Sequence, residues 1–117
     1  MREIHFERTV WADRQLAKLC PGNNIQRLGE VMDIEDFDAQ MGGIINIIRI
    51  MNEAYERKAH FLDKSHEMDV ITVEELENLT EDELMELCNL AFEKFGIDGQ
   101  TTVEAEPEKK ENLPESN

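Results

Sequence analysis

The sequence predicts a mainly α-helical protein, a small helical bundle around one long central helix. Apolar residues recur at steps of three and four over residues 36–62, as on the faces of a helix. Threonine precedes glutamate by three positions at 72–75 and again at 80–83, which is typical of helix N-termini. A chain of 117 residues with 40% hydrophobic residues suits one core. We therefore expect one helical domain over residues 1–97, followed by an acidic tail over 98–117.

The first third of the chain combines a strand-like and a helical pattern. Apolar residues at even positions predict one short N-terminal β-strand over residues 3–8. Because no second strand is evident, it would be an edge strand or would depend on a partner. Helical spacing predicts a helix over 10–20, which Pro21 and Gly22 end. A second short helix is expected over 24–32.

The long central helix is expected over residues 36–62, about 40 Å at 1.5 Å per residue. Its main apolar stripe comprises Met41, Ile44, Ile45, Ile48, Met51, Tyr55, Ala59 and Leu62. Further apolar residues lie on neighbouring faces, so the helix needs covering from several sides. Each glycine of the Gly42-Gly43 pair costs roughly 1 kcal/mol of helix stability relative to alanine. The pair could mark a start, a kink or a close helix crossing, and we expect a start or break near Gly43.

Two further helices have sharper start signals. Thr72 with Glu75 and Thr80 with Glu83 each match a capping box, in which the two side chains satisfy each other's free backbone N–H groups. The first helix is short. The second is longer and is expected to end at Gly96.

The charge is strongly negative, with 12 Lys and Arg against 27 Asp and Glu, or −15. Residues 98–117 carry −4, which leaves −11 on residues 1–97. Repulsion from phosphates disfavours generic binding to nucleic acid or to an anionic membrane, whereas a basic partner is favoured. The tail has few large apolar residues and is predicted to be disordered. Neither a secretory signal nor a membrane span is recognisable, so we expect a cytoplasmic protein.

Motifs that carry chemistry are not apparent. Cys20 and Cys88 lie far apart without a CxxC partner, so we expect buried hydrophobes and not a disulfide or metal site. The spacing of His60, Asp63 and His66 does not place both histidines on one helical face. No phosphate-binding glycine loop or nucleophile elbow occurs. We therefore expect no catalytic activity, no metal and no cofactor.

A surface for binding another protein remains as the candidate site. Methionines in the apolar stripes could form an adaptable groove, and the single Trp and Tyr could anchor an interface. For both kinds of residue, core packing is the alternative and the more common role. The candidate partner-binding residues are Trp11, Ile44, Ile47, Ile48, Met51 and Tyr55.

The order of segments resembles a known family. A short strand at 3–8 precedes a helix and the Cys-Pro-Gly-Asn break at 20–23. A long Ile-rich helix then carries Asn-Glu-Ala-Tyr-Glu at 52–56, and the capped segment at 71–76 and an acidic tail follow. Over most of residues 1–98 the chain resembles the tail assembly chaperones of long-tailed bacteriophages and prophages of Gram-positive bacteria, in their short, unframeshifted form.

The resemblance implies a non-catalytic chaperone in the host cytoplasm, absent from the mature virion. It would bind the tape-measure protein and help to recruit tail-tube subunits, and weak self-association is a further expectation. Family members commonly have a longer, frameshifted product.

The alternative is an acidic regulatory or DNA-mimic protein that occupies the basic groove of a nucleic-acid-binding partner. Added salt should weaken such binding steeply. In the chaperone, apolar substitutions on the central helix should matter more.

Overall fold

The computed structural model describes residues 2–96, so the acidic tail predicted over 98–117 lies outside the described residues. The fold is mainly α-helical around a long central helix, which confirms the predicted fold class. Its helices are α1 (Val10–Ala17), α2 (Gly29–Met32), α3 (Phe37–Leu62), α4 (Val73–Glu77) and α5 (Glu81–Phe92).

Helix α3 is the centre of the packing, because α1, α2, α4 and α5 all contact it. Its apolar side chains point in several directions, and the other helices cover them from different sides. The most deeply buried large side chains, at most 1% exposed, are Leu16, Ile44, Ile47, Ile48, Met51, Ile71, Leu76 and Cys88. Half of them belong to α3. The core is therefore built around this one helix.

The glycine pair lies inside α3 and does not interrupt it. The helix begins at Phe37, where the Asp36 carboxylate accepts a first-turn backbone N–H at 2.8 Å. The predicted start or break near Gly43 is thus wrong. A Cβ at Gly43 would lie 2.7 Å from Val31 Cγ1 and 3.3 Å from the Val31 carbonyl oxygen. Glycine is needed here because α2 crosses α3 at close range.

The segments flanking α1 differ in detail from the prediction. Helix α1 ends at Ala17, three residues earlier than expected, and irregular turns lead to Pro21. The short helix predicted over 24–32 is divided into a 3₁₀ turn, Ile25–Arg27, and α2. After Ala17 the backbone N–H groups of Lys18, Leu19 and Cys20 donate three residues back, so the end of α1 tightens before Pro21.

The N-terminal segment is extended, but the β-strand predicted over residues 3–8 is not formed, and no strand occurs within residues 2–96. The reason is the lack of a partner strand. The segment lies along α3 instead. The backbone N–H of Glu7 donates to the Met51 carbonyl oxygen at 3.1 Å, and the Asn52 side-chain amide donates to the His5 carbonyl oxygen at 2.9 Å.

Arg2 connects the start of this segment to residues 69–75, before and within α4. Its guanidinium Nη1 lies 2.7 Å from Asp69 Oδ2, and its Nε lies 3.1 Å from Glu75 Oε2. The hydrogen bond from Arg2 holds the pKa of the Glu75 carboxyl below its ordinary value. Arg2 thereby connects the start of the described chain to the segment before α4 and to α4 itself.

Three polar side chains on α3, Arg49, Asn52 and Glu56, form what we call the polar row. Asn52 Oδ1 accepts the backbone N–H of Ile71 at 2.7 Å, and Arg49 Nε donates to the Ile71 carbonyl oxygen at 3.1 Å. The Glu56 carboxylate accepts the backbone N–H of Asp69 at 2.9 Å. Because Asn52 is 2% and Glu56 7% exposed, these bonds satisfy polar groups largely removed from water.

The capping boxes are confirmed at both predicted positions. The Thr72 and Thr80 hydroxyls accept the backbone N–H of Glu75 and Glu83 at 3.1 and 3.2 Å. Each glutamate in return accepts the backbone N–H of its threonine at 2.9 Å. Gly96, with φ of 75°, ends the 3₁₀ turn after α5 as expected.

We predict opposite effects for the two neighbouring glycines of α3. Gly42→Ala should stabilise the protein by up to about 1 kcal/mol, because a Cβ there meets no atom within 4 Å and alanine favours helix. Gly43→Ala should destabilise it by about 1–2 kcal/mol, since the new methyl collides with the buried, β-branched Val31. Urea unfolding measures the free energy of unfolding of both variants. Equal changes in the two variants would contradict the close approach of α2 to α3 at Gly43.

Asn52→Ala should reduce the free energy of unfolding by about 2–3 kcal/mol, because it leaves the buried Ile71 N–H and the His5 carbonyl without their partner. Asn46→Ala, at an exposed position of the same helix, is the matched control and should change stability by less than about 0.5 kcal/mol. Chemical denaturation of both variants checks the difference. A similar small effect for both would argue against the bridging role of Asn52.

Candidate functional site

The structure places four of the predicted partner-binding residues in the core. Ile44, Ile47, Ile48 and Met51 are each at most 1% exposed, because the helices packed on α3 cover them. This corrects the prediction that they form a binding surface in the folded chain.

The other two predicted residues, Trp11 and Tyr55, are half-buried and make contacts within the chain. The Arg57 guanidinium lies 4.2 Å from the centroid of the Trp11 ring. The Tyr55 ring lies 4.9 Å from the His5 ring in a tilted arrangement. Their role in binding a partner stays a prediction.

A different part of α3 borders an open groove of about 460 Å³. One wall is the N-terminal part of α3, and the other is α4, the turn after it and the start of α5. The residues along it are Phe37, Asp38, Met41, Gly42, Ile45, Leu76, Glu77, Leu79, Thr80, Glu81 and Leu84. We call this the α3–α5 groove.

Helical spacing explains the α3 wall. Phe37, Met41 and Ile45 follow one another at four-residue steps, so their side chains lie along one face. On the α4–α5 side, Leu76 and Leu84 line the groove and are only 1% and 5% exposed. These two buried leucines form the floor of the groove. Phe37 is 59% exposed, so the groove passes from a buried apolar floor to an exposed aromatic edge.

The rim of the α3–α5 groove is acidic. Asp38, Glu77 and Glu81 are exposed, and the lining contains no Lys or Arg. The stretch 72–93, which supplies one wall, has eight acidic residues and no basic one. Among the described residues, Arg2 is the cation that pairs with this stretch, through Glu75 at the N-terminal end of α4. The rim acids are thus available for cations from outside.

An apolar floor with carboxylates along the edge is suited to binding a partner. Such a site can take apolar side chains out of water and place a partner's cations against its rim. The floor supplies affinity, and the rim supplies orientation and a preference for positive charge.

The residues with metal-ligand chemistry serve a structural purpose after α3. His60 Nδ1 lies 2.7 Å from the His66 carbonyl oxygen, and His66 Nε2 lies 2.8 Å from Glu56 Oε1. Asp63 accepts the Ser65 hydroxyl at 2.7 Å, which lowers the pKa of its carboxyl. Within residues 2–96, no three His, Cys, Asp or Glu side chains are grouped as a metal ion would require.

Both cysteines are buried and free, as the sequence predicted. Burial raises the pKa of the Cys88 thiol to about 11 and raises that of Cys20 as well. The Cys20 thiol also donates to the Leu16 carbonyl oxygen at 3.3 Å. A thiol with a raised pKa is a poor nucleophile near neutral pH, so these groups act as core side chains.

The described part of the chain contains no helix with the length and apolar character that a membrane crossing requires. Comparisons of the chain with protein-family models, with curated proteins and with solved structures gave no match.

The sequence prediction did not single out Phe37, Met41, Ile45 and Leu79, which line the α3–α5 groove. For Met41 and Ile45 a signal was present, because both belong to the apolar stripe predicted for the central helix. Periodicity could not decide which face stays uncovered. That depends on where α4 and α5 dock.

The Cys88 thiol should make the free energy of unfolding depend on pH above 9. Its pKa is raised in the folded state, so the unfolded chain loses the proton first and stability falls as pH rises from about 9 to about 11. The loss attributable to this group should approach 2 kcal/mol at about pH 11, since one pKa unit corresponds to about 1.4 kcal/mol.

Urea unfolding of the wild type and of Cys88→Ala at pH 8 and pH 11 isolates this contribution. Every other side chain is the same in the two proteins, so the difference between the two pH slopes belongs to Cys88. Parallel slopes would contradict an un-ionised, buried thiol.

Proposed function

We propose that this chain is a non-catalytic phage tail assembly chaperone, which binds the tape-measure protein in the host cytoplasm and helps to recruit tail-tube subunits. The observation that carries the proposal is the α3–α5 groove, an open and largely apolar surface between α3 and the α4–α5 segment. The order of sequence segments, which resembles that family, supplies the specific partner.

The groove suits the physical problem that such a partner poses. A tape-measure protein, as the family resemblance describes it, is long and helical with apolar stripes, and these would aggregate if left in water. Covering apolar surface gains about 25 cal/mol per Å². The chaperone's charge of −15 would keep the complex soluble. Many small, repeated contacts give avidity and still permit release when tail-tube subunits arrive.

A second candidate is the acidic regulatory or DNA-mimic protein, and one observation favours it. Residues 72–93 present eight acidic residues without a basic one on consecutive short helices. Such a surface could occupy the basic groove of a nucleic-acid-binding protein. Its binding would depend on charge over the whole α4–α5 face and only weakly on the groove floor.

Co-expression of the chain with the tape-measure protein of the same phage, followed by affinity capture, tests the proposal. Phe37→Ala should reduce the captured tape-measure protein about tenfold, because Phe37 is the exposed aromatic edge of the groove. Phe61→Ala is the matched control, since Phe61 is a 73% exposed phenylalanine on the same helix outside the groove. It should leave capture unchanged.

Absence of tape-measure protein from the wild-type capture would reject the chaperone proposal. Capture of a basic nucleic-acid-binding protein instead, with complete loss at 0.5 M salt and no effect of Phe37→Ala, would identify the second candidate. The two functions thus differ in both the partner and the variant that matters.

A further inference from the structure

We propose that the α3–α5 groove binds one amphipathic helix whose apolar stripe is flanked by Lys or Arg side chains. This inference deepens the proposed function and rests on it, because it specifies the chemistry of the segment that the chaperone recognises. It concerns the groove alone and can be tested without any phage protein.

The shape of the groove favours a helix as its occupant. Its α3 wall extends from Phe37 to Ile45, two turns or about 12 Å. A partner helix placed alongside presents apolar side chains at three- and four-residue steps over the same length. The floor formed by Leu76 and Leu84 closes the groove from below, so the partner's side chains can insert and lose contact with water.

The charge of the rim decides which helix is accepted. Asp38 lies on the α3 wall, while Glu77 and Glu81 lie on the α4–α5 wall, so carboxylates border the groove on both sides. A helix with acidic flanks would be repelled from both walls. A helix with basic flanks would pair with both walls and approach faster.

Charge also argues against the occupants that the chain itself could supply. Its segment 98–117 carries −4, the same sign as the rim. A second copy of the chain brings a net charge of −15. Like charges at close range oppose both kinds of docking, which leaves a basic segment of another protein as the occupant.

Gly42 offers a way to block the groove without weakening the fold. It lines the groove, and a Cβ built there meets no atom within 4 Å. Gly42→Leu should therefore fill the groove, while Gly42→Ala adds only a methyl group. Both replace a glycine inside α3 by a better helix former, so both variants should be at least as stable as the wild type.

The experiment uses the full chain and labelled synthetic helices, with binding measured by fluorescence anisotropy. Two peptides share one apolar stripe of leucines and differ in carrying lysines or glutamates beside it. A third peptide has the composition of the lysine peptide but a scrambled order without a stripe. The lysine peptide should bind at least tenfold more tightly than either of the others.

Two sets of variants assign this preference to the groove. Gly42→Leu should weaken binding of the lysine peptide about tenfold, and Gly42→Ala, whose single methyl group fills less of the groove, should weaken it less. The rim variant Asp38→Asn/Glu77→Gln/Glu81→Gln should reduce the lysine-over-glutamate preference below about threefold. The matched control, which removes three exposed charges outside the groove lining, is Glu67→Gln/Glu86→Gln/Glu93→Gln and should retain the preference.

Several results would overturn the inference. Equal binding of the lysine and scrambled peptides, or equal effects of the two charge variants, would assign binding to diffuse charge. Unchanged binding by Gly42→Leu would place the site elsewhere. A dimer in sedimentation that Gly42→Leu dissociates would make a second copy the occupant.

The peptide assay and the capture experiment can fail independently. If the chain captures the tape-measure protein but binds the lysine and glutamate peptides equally tightly, only this inference is rejected. Tight binding of the lysine peptide without capture would reject only the proposed partner.

Discussion

The buried side-chain amide of Asn52 connects the parts of the structure that have no regular hydrogen bonding of their own. It donates to the N-terminal segment at His5 and accepts from Ile71, directly before α4. At 2% exposure it has little access to water, so both bonds must be made within the protein. Together with the bonds from Arg49 and Glu56, this bridge holds the segment that leads into α4 against α3.

The apolar surface of α3 is divided between the core and the α3–α5 groove. One face, with Ile44, Ile47, Ile48 and Met51, is fully covered and forms the core. The neighbouring face, with Met41 and Ile45, is only half-buried and is left at the groove. A helix with one narrow apolar stripe could not serve both purposes. The apolar character around much of α3 is therefore consistent with a binding protein.

Local signals made much of this fold predictable from the sequence. A capping box needs residues three positions apart, so Thr72 and Thr80 identify the starts of α4 and α5 without knowledge of the rest. Long-range features were not predictable in the same way. Gly43 allows Val31 of α2 to pack close to the backbone of α3. The sequence around residue 43 does not indicate that Val31 will be its neighbour. Which apolar residues of α3 stay uncovered likewise depends on where α4 and α5 pack against it. The spacing of apolar residues in the sequence does not predict that packing.

The attachment of Arg2 to Asp69 and Glu75 has a consequence for synthesis on the ribosome. These partners lie 67 and 73 residues further along the chain. At about 5–20 residues per second, the N-terminal segment is synthesised about 3–15 s before they are. During that interval Phe6, which is buried in the finished fold, has no completed pocket to enter. The N-terminal segment is thus fixed in place by Arg2 only after Asp69 and Glu75 have been made.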